Sequence, residues 1–406
     1  MPATMYARGE RPRPEWLRNH PRAWIAAVGT VCFGAFMGQL DASIVALTYH
    51  SIGDSFHTDL AAVQWVSLTY LLTLAMLLIP IGAVSDRLGR KRIYLLGFAV
   101  FSAASIGCAL APTLAVLDGM RAVQGVGAAM LQANSVALVA TSVPRMRLRT
   151  ALGIQAAAQA LGLALGPTLG GVIVQTIGWR WVFGINVPIG VVAILAGRYL
   201  LPRTRVTTHA TSGRLRIVLQ TTAMPRRLIG AFAAYLLLFG PIVLIPTVLQ
   251  RHGASALLAG LVVAALPIGF ALAAATADHA LPRDWSTAAR CGLGIAVTVL
   301  GCLALLSARA DPTWCAAAGF LIGLGIGLYT PANNALIMSA VPPGMAALAG
   351  GLVNTARAIG TAAGTAIVVI ALGLVAQPWL AAAALLVLAA AAATTIELRP
   401  SRPISP

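Results

Sequence analysis

Apolar residues gather into twelve stretches long enough to cross a bilayer, about 20 residues each, near 24–47, 62–82, 93–110, 114–140, 151–176, 183–201, 228–249, 258–277, 291–308, 313–338, 347–372 and 378–396. The breaks between them carry turn chemistry, as at Ala111-Pro112, Arg251-His252-Gly253, Asp311-Pro312 and Pro342-Pro343-Gly344. This pattern predicts an all-α membrane protein. The longest polar break, Leu201 to Arg227, divides the chain into two sets of six spans. The expected organisation is an N-terminal segment (1–23), a six-helix bundle (24–201), a linker (202–227), a second six-helix bundle (228–396) and a tail (397–406).

Composition leads to the same class. With 59% hydrophobic and 10% charged residues and a mean hydropathy of +0.85, 406 residues carry too little polar surface to coat a soluble globule. The net charge of +17 would point to nucleic acid in a soluble protein, but here no soluble domain presents a basic face, so no nucleic-acid partner is expected. The charge is topological. With the N-terminus inside, the inner segments hold 23 of the 28 arginines and lysines, the outer loops hold Arg180, Arg251 and Arg309, and Arg121 and Arg357 fall inside spans. Both termini are therefore expected in the cytoplasm. The first 22 residues are rich in arginine and proline, and the apolar run after them exceeds a signal-peptide core, so the first span is expected to stay in the membrane. Arginine outnumbers lysine 27 to 1 beside abundant alanine, which suggests a bacterium with a GC-rich genome and hence a bacterial cytoplasmic membrane.

The two halves echo one another at an offset near 200. Gly125-Val-Gly127 and Asn134 reappear as Gly325-Ile-Gly327 and Asn334, and Gly162-xxx-Gly166 reappears as Gly360-xxx-Gly364. Two pseudo-symmetric bundles around a central cavity follow. The chemistry is not symmetric: at this offset Arg121 faces Leu321 and Pro167 faces Thr365, so coupling chemistry is expected in the N-terminal half.

An arginine inside a span costs several kcal/mol unless it finds partners. For Arg121 the candidate acids are Asp41 in the first span and Asp118, three residues away on the same helix face. Counting ~1.5 Å per residue, Asp41 lies ~25 Å from the inner end of its helix and Arg121 ~11 Å below the outer end of its own, which matches in a path of ~36 Å. Asp118 sits nearer the outer interface, where water would satisfy it, and Arg121 could instead snorkel outward.

Three glycine-bearing motifs add to this. Gly82-Ala-Val-Ser-Asp86-Arg87-Leu-Gly89-Arg90-Lys91-Arg92 lies between the second and third spans; its glycines let helix ends approach and Asp86 can cap a helix or pair with an arginine. Gly162, Gly166 and Gly170 align on one face of the fifth span, with Pro167 and Gly171 beside them, a surface suited to close helix packing. The stretch Leu117-Asp118-Gly-Met-Arg121-Ala-Val-Gln124-Gly125-Val-Gly127 embeds the arginine in the fourth span.

Together these stretches resemble the loop, helix 4 and antiporter signatures of the major facilitator superfamily. Leu40-Asp41-Ala-Ser-Ile44-Val45, Gln64-Trp65 with Tyr70-Leu71-Leu72, and Gly178-Trp179-Arg180-Trp181-Val-Phe183-Gly-Ile-Asn186-Val-Pro188-Ile-Gly190 resemble its drug:proton antiporters, usually built with fourteen helices. The chain departs from that branch in lacking the extra central helix pair and in placing Tyr49 where proline is frequent. The resemblance implies proton-coupled export of small, lipophilic molecules by alternating access, with Asp41 accepting the proton, Arg121 as its gate, and the Gly82–Arg92 motif as a cytoplasmic gate. It implies a monomer among membrane lipids that needs no cofactor beyond the coupling proton.

A substrate-cavity wall is expected from polar and aromatic residues on the spans: Phe33, Phe36, Met37, Gln39, Tyr70, Gln132, Asn134, Gln155, Gln159, Asn354 and Arg357. Arg357 would bind anionic substrates or pair with backbone near the inner end of its helix. The five cysteines lie in or at the edge of spans without metal-ligand spacing, and the histidines at 20, 50, 57, 209, 252 and 279 lie in loops or at helix ends, so neither a metal site nor an enzyme is expected. Export of one metabolite, or a sensor role without transport, remain the alternatives.

Overall fold

The computed structural model of the chain describes residues 10, 12–15, 20, 22–203, 224–282, 285–308, 311–341, 346–374, 384 and 386–387. Eleven helices among them are long and apolar enough to cross a membrane. They are α1 (Ala23–Phe56), α2 (Leu60–Leu88), α3 (Arg90–Ala109), α4 (Leu114–Ser142), α5 (Leu148–Thr176), α6 (Arg180–Leu200), α7 (Met224–Arg251), α8 (Ala256–Ala280), α9 (Thr287–Ser307), α10 (Pro312–Ala340) and α11 (Ala346–Leu374). The twelfth expected span, 378–396, lies outside the described residues apart from 384, 386 and 387. The chain divides into two compact units, Met1–Thr211 and Ser212–Pro406.

Several helices outrun their apolar stretches, because a helix continues as long as one face is buried. In α1, Val45–Thr48 form a tighter 3-10 turn, after which Tyr49 and Ile52 stay buried while His50 and Asp54 face outward, and the helix ends at His57 in the left-handed region. Helix starts follow side-chain capping: Asp59, Thr113, Ser286 and Asp311 each accept a hydrogen bond from the backbone N–H three residues on. The Gly82–Arg92 motif is not a loop. Residues through Leu88 belong to α2 and Arg90 already opens α3, leaving Gly89, at φ 100°, as the single residue that turns the chain.

Glycines decide which helices touch. A Cβ on Gly162 would strike the Phe36 carbonyl oxygen, and one on Gly166 would strike Ser43, so the fifth span packs backbone-close on the first. In the second unit Gly360 and Gly364 meet the carbonyls of Phe232 and Leu236, giving the matching α7–α11 contact. Helix α4 wedges between α2 and α3, with Gly125 against Tyr70 and Gly127 against Phe101; α10 wedges between α8 and α9, with Gly323 against Leu266 and Gly325 against Thr298.

These contacts correct the register of the internal repeat. Gly125 corresponds to Gly323 and Gly127 to Gly325, at an offset of 198 rather than 200, which is the offset that Gly162 and Gly360 already have. The partner of Arg121 in the second unit is accordingly Gly319, not Leu321. A motif of small residues two apart recurs within Gly323-Leu-Gly325-Ile-Gly327, which is why the letters alone fit either register.

Candidate functional site

Five helices of the first unit converge on one carboxylate. Asp41 of α1 accepts a 2.7 Å hydrogen bond at Oδ2 from Arg121 Nη1 of α4. Its Oδ1 accepts from Gln124 Nε2 of α4 at 3.1 Å and from Asn186 Nδ2 of α6 at 3.0 Å. Arg121 is held in turn by the Val66 carbonyl of α2, at 2.8 Å from Nε, and by Gln124 Oε1, at 2.6 Å from Nη1. Gln124 Nε2 also donates to Ser105 Oγ of α3 at 2.8 Å, and Ser105 donates to the Phe101 carbonyl.

The network is dry. Asp41, Gln124 and Ser105 have no exposed surface, and Arg121 and Asn186 keep 1% each. Tyr70 lies 4.2 Å from the guanidinium on one side and Phe183 5.6 Å away, so aromatic faces close what hydrogen bonds leave open. Buried charges survive only when paired and fully hydrogen-bonded, and this pair meets that condition at almost every atom. A carboxylate is an acceptor without a donor, and every group aimed at Asp41 is a donor, so the geometry is that of the ionised acid. Asn186 Oδ1 and the Tyr70 hydroxyl are the polar atoms of the cluster that have no hydrogen-bond partner.

Asp118 takes a different place. Its side chain is half-buried, its Oδ1 has no hydrogen-bond partner, and the ion pair of Arg121 goes to Asp41. Arg121 does not snorkel outward.

At the end of α2 and the start of α3, Asp86 and Arg90 form an ion pair at 2.5 Å, one turn apart across Gly89. Arg87 and Arg92 are exposed. Lys91 instead turns inward with 2% exposure, and its Nζ donates to the carbonyls of Arg198 at 3.0 Å and Leu201 at 2.7 Å. It therefore closes the C-terminus of α6, where carbonyls lack helical partners and the dipole favours a cation. The N-terminal segment docks on the same place: Glu10 accepts from the Arg92 N–H and from Arg203, and Arg13 donates to the Leu200 carbonyl. Nothing in the sequence pattern singles out Glu10 and Arg13, which stand beside Glu15 among arginines and prolines. Asn134 ties α4 to α2 through Ser85 Oγ at 2.9 Å.

The residues expected to wall a cavity fall into two groups. Met37, Tyr70, Asn134 and Gln155 are buried inside the first unit, Tyr70 as part of the Asp41 cluster. Phe33 is exposed, and Phe36, Gln39, Gln132, Gln159, Asn354 and Arg357 are partly exposed. Of the helix 5 motif, Gly162, Gly166 and Gly170 make the α1 contact, and Pro167 and Gly171 are buried within α5. In the second unit Arg357 of α11 donates to Asn334 Oδ1 at 3.0 Å and lies 5.0 Å over the Tyr235 ring, so its partner is a side-chain amide rather than backbone. Gln124, Asn186 and Ser105 were the residues that sequence reasoning did not assign, although the first two stand inside the quoted motifs.

The family model described as Major Facilitator Superfamily matches residues 31–365. Over 199 residues the chain is 38% identical to the methylenomycin A resistance protein of Streptomyces coelicolor, covering 48% of this chain and 42% of that protein. It is 40% identical over 162 residues to the multidrug resistance protein Stp of Mycobacterium tuberculosis, 40% of this chain and 30% of that one. It is 34% identical over 180 residues to the riboflavin transporter RibZ of Clostridioides difficile, 44% and 39% of the two chains. In each of these matches the chain spans less than half of the relative's length. The fold matches the crystal structure of a bacterial homologue of the human lysosomal transporter Spinster in an inward-facing, occupied conformation, with a TM-score of 0.69 and 17% identity over 93% of this chain and 97% of that one.

Proposed function

The chain belongs to the major facilitator superfamily, and from that premise we propose that this multi-pass membrane transporter is a proton-coupled antiporter exporting small lipophilic compounds across the cytoplasmic membrane, with both termini in the cytoplasm. The observation that carries the reading is the buried Asp41–Arg121 pair. A carboxylate sealed among donors exchanges a proton only if the donors rearrange, and that requirement ties proton binding to helix movement.

Protonation of Asp41 removes the charge that Arg121 neutralises and adds a proton that needs an acceptor. Asn186 supplies one: rotated about its side chain, its unpartnered Oδ1 would take the place that Nδ2 holds now. Gln124 has no such freedom, because both ends of its amide are engaged. Loss of the Arg121 contact would loosen α4 from α1 and so tie the proton to helix movement within the first unit. Relatives named for antibiotic or multidrug resistance support lipophilic drugs as cargo.

The test is accumulation of a panel of neutral and charged lipophilic dyes in cells carrying the protein against vector controls, with and without a protonophore. Lower accumulation that the protonophore abolishes is expected; a panel-wide match to the vector would contradict export, and protonophore-insensitive efflux would contradict coupling. The riboflavin transporter among the relatives favours a second reading, export of one metabolite, and a flavin belongs in the panel for that reason.

A further inference from the structure

Among the described residues Arg357 of α11 forms no ion pair. It lies eleven residues from the start of α11 and seventeen from its end, so ~16 Å of helix separate it from the nearer terminus. Of the acids in the sequence beyond Ser212, Asp278 lies two residues from the end of α8 and Asp311 caps the start of α10, while Asp284 and Glu397 lie outside the described residues. Arg121, by contrast, finds Asp41 at 2.7 Å. A cation so placed is held at a cost of several kcal/mol unless something neutralises it, and in membrane proteins such a residue marks a ligand or ion path.

The described neighbours that hold the Arg357 guanidinium are uncharged. Tyr235 lies under it at 5.0 Å and is itself stacked on Phe239, with ring centroids 6.2 Å apart and planes at 23°. Asn334 Oδ1 accepts one of its N–H groups, and its Nε has no hydrogen-bond partner. The side chain is partly exposed rather than sealed like Arg121. Among the described residues one donor of this five-donor planar fork is thus engaged by a neutral acceptor and Nε is unpartnered, and such a fork recognises a carboxylate or other oxyanion through parallel hydrogen bonds.

We propose that Arg357, positioned by Asn334 and Tyr235, is the binding group for an oxyanion carried on an apolar body. Resting on the exporter reading, this narrows the cargo class to lipophilic acids. An anionic lipid headgroup offers the same chemistry and is the other possible source of the oxyanion.

The test is binding of biphenyl-4-carboxylate and of its methyl ester to the purified full chain, by calorimetry, in discs of neutral phosphatidylcholine and in discs containing phosphatidylglycerol. The acid is expected to bind roughly tenfold or more tightly than the ester, the size of a charge-assisted contact. Arg357→Gln should remove that preference while leaving ester affinity unchanged, and Arg357→Lys should keep part of it. Equal acid affinity in both lipids assigns the site to cargo; acid affinity that phosphatidylglycerol weakens only when Arg357 is present assigns it to a headgroup, and either supports an oxyanion site. Equal affinity of acid and ester in the wild type, or an acid preference that survives Arg357→Gln, would overturn it. Since binding is read without transport, a failed dye-efflux panel would sink the exporter reading and leave this result standing.

Discussion

The first and second units share a packing plan and differ in what they bury. In both, the fourth helix of the repeat is wedged between the second and third by glycines, and the first and fifth touch backbone to backbone. In the first unit the centre of that plan holds Asp41, Arg121, Gln124 and Ser105. With the first helix of each unit matched through Phe36 and Phe232, the third through Gly97 and Gly294 and the fourth through Gly127 and Gly325, the positions of Asp41, Ser105, Arg121 and Gln124 hold Leu237, Cys302, Gly319 and Ile322 in the second unit, all buried small or apolar residues. The five described helices of the second unit therefore share this packing plan without the polar cluster. Its absence from the described residues of the second unit is a physical argument that it serves a task other than stability, since a buried ion pair is a poor stabiliser next to well-packed apolar groups.

The comparison is broken most severely by removing half of the pair. Asp41→Leu, the second unit's residue, leaves Arg121 buried without its acid and should cost about 3–5 kcal/mol, seen as a large fall in melting temperature of the purified protein. Adding Arg121→Met removes the unpaired charge and should restore part of that stability, since Gln124 and Asn186 still lack the carboxylate they donate to, while efflux stays lost. If the double variant melts as low as the single one, the cluster is structural and the comparison misleads.

A smaller effect tests whether the shared glycine contacts are equivalent. Gly162→Ala and Gly360→Ala each push a methyl group onto a carbonyl, of Phe36 and Phe232, and should each destabilise by about 1–3 kcal/mol. Comparable losses in melting temperature are expected, and tolerance of one but not the other would show that the two first–fifth contacts differ.

The smallest structural effect is expected at Asp86. Its ion pair with Arg90 is one turn long and partly solvated, so Asp86→Asn should cost about 0.3–0.5 kcal/mol or less. Under the gate reading, efflux falls while abundance and melting temperature hold. Wild-type efflux would reduce the motif to a topology anchor.

How far the sequence carries can be followed residue by residue. Eleven spans could be read from hydropathy because a bilayer-length apolar run has few other meanings. Asp41 and Arg121 could be matched by depth because rise per residue is constant in a helix. What could not be read was azimuth: nothing in a string of letters says that Asn186 on α6 and Gln124 on α4 point at the same oxygen. Lys91 illustrates the same limit, since its place in a basic cluster suggests solvent while its side chain reaches back to carbonyls more than a hundred residues away. The repeat register failed for another reason, that glycines two residues apart form an ambiguous ruler.

The central claim, that Asp41 carries the coupling proton, is tested most directly by substrate-induced proton release from vesicles reconstituted with the wild type and with Asp41→Asn. The asparagine keeps the shape and can still accept from Arg121, but it cannot take up a proton. Wild-type vesicles should release protons on addition of a transported substrate, and Asp41→Asn vesicles should bind that substrate and release none. Undiminished release from Asp41→Asn would contradict the account and pass the role to Asp118 or another group.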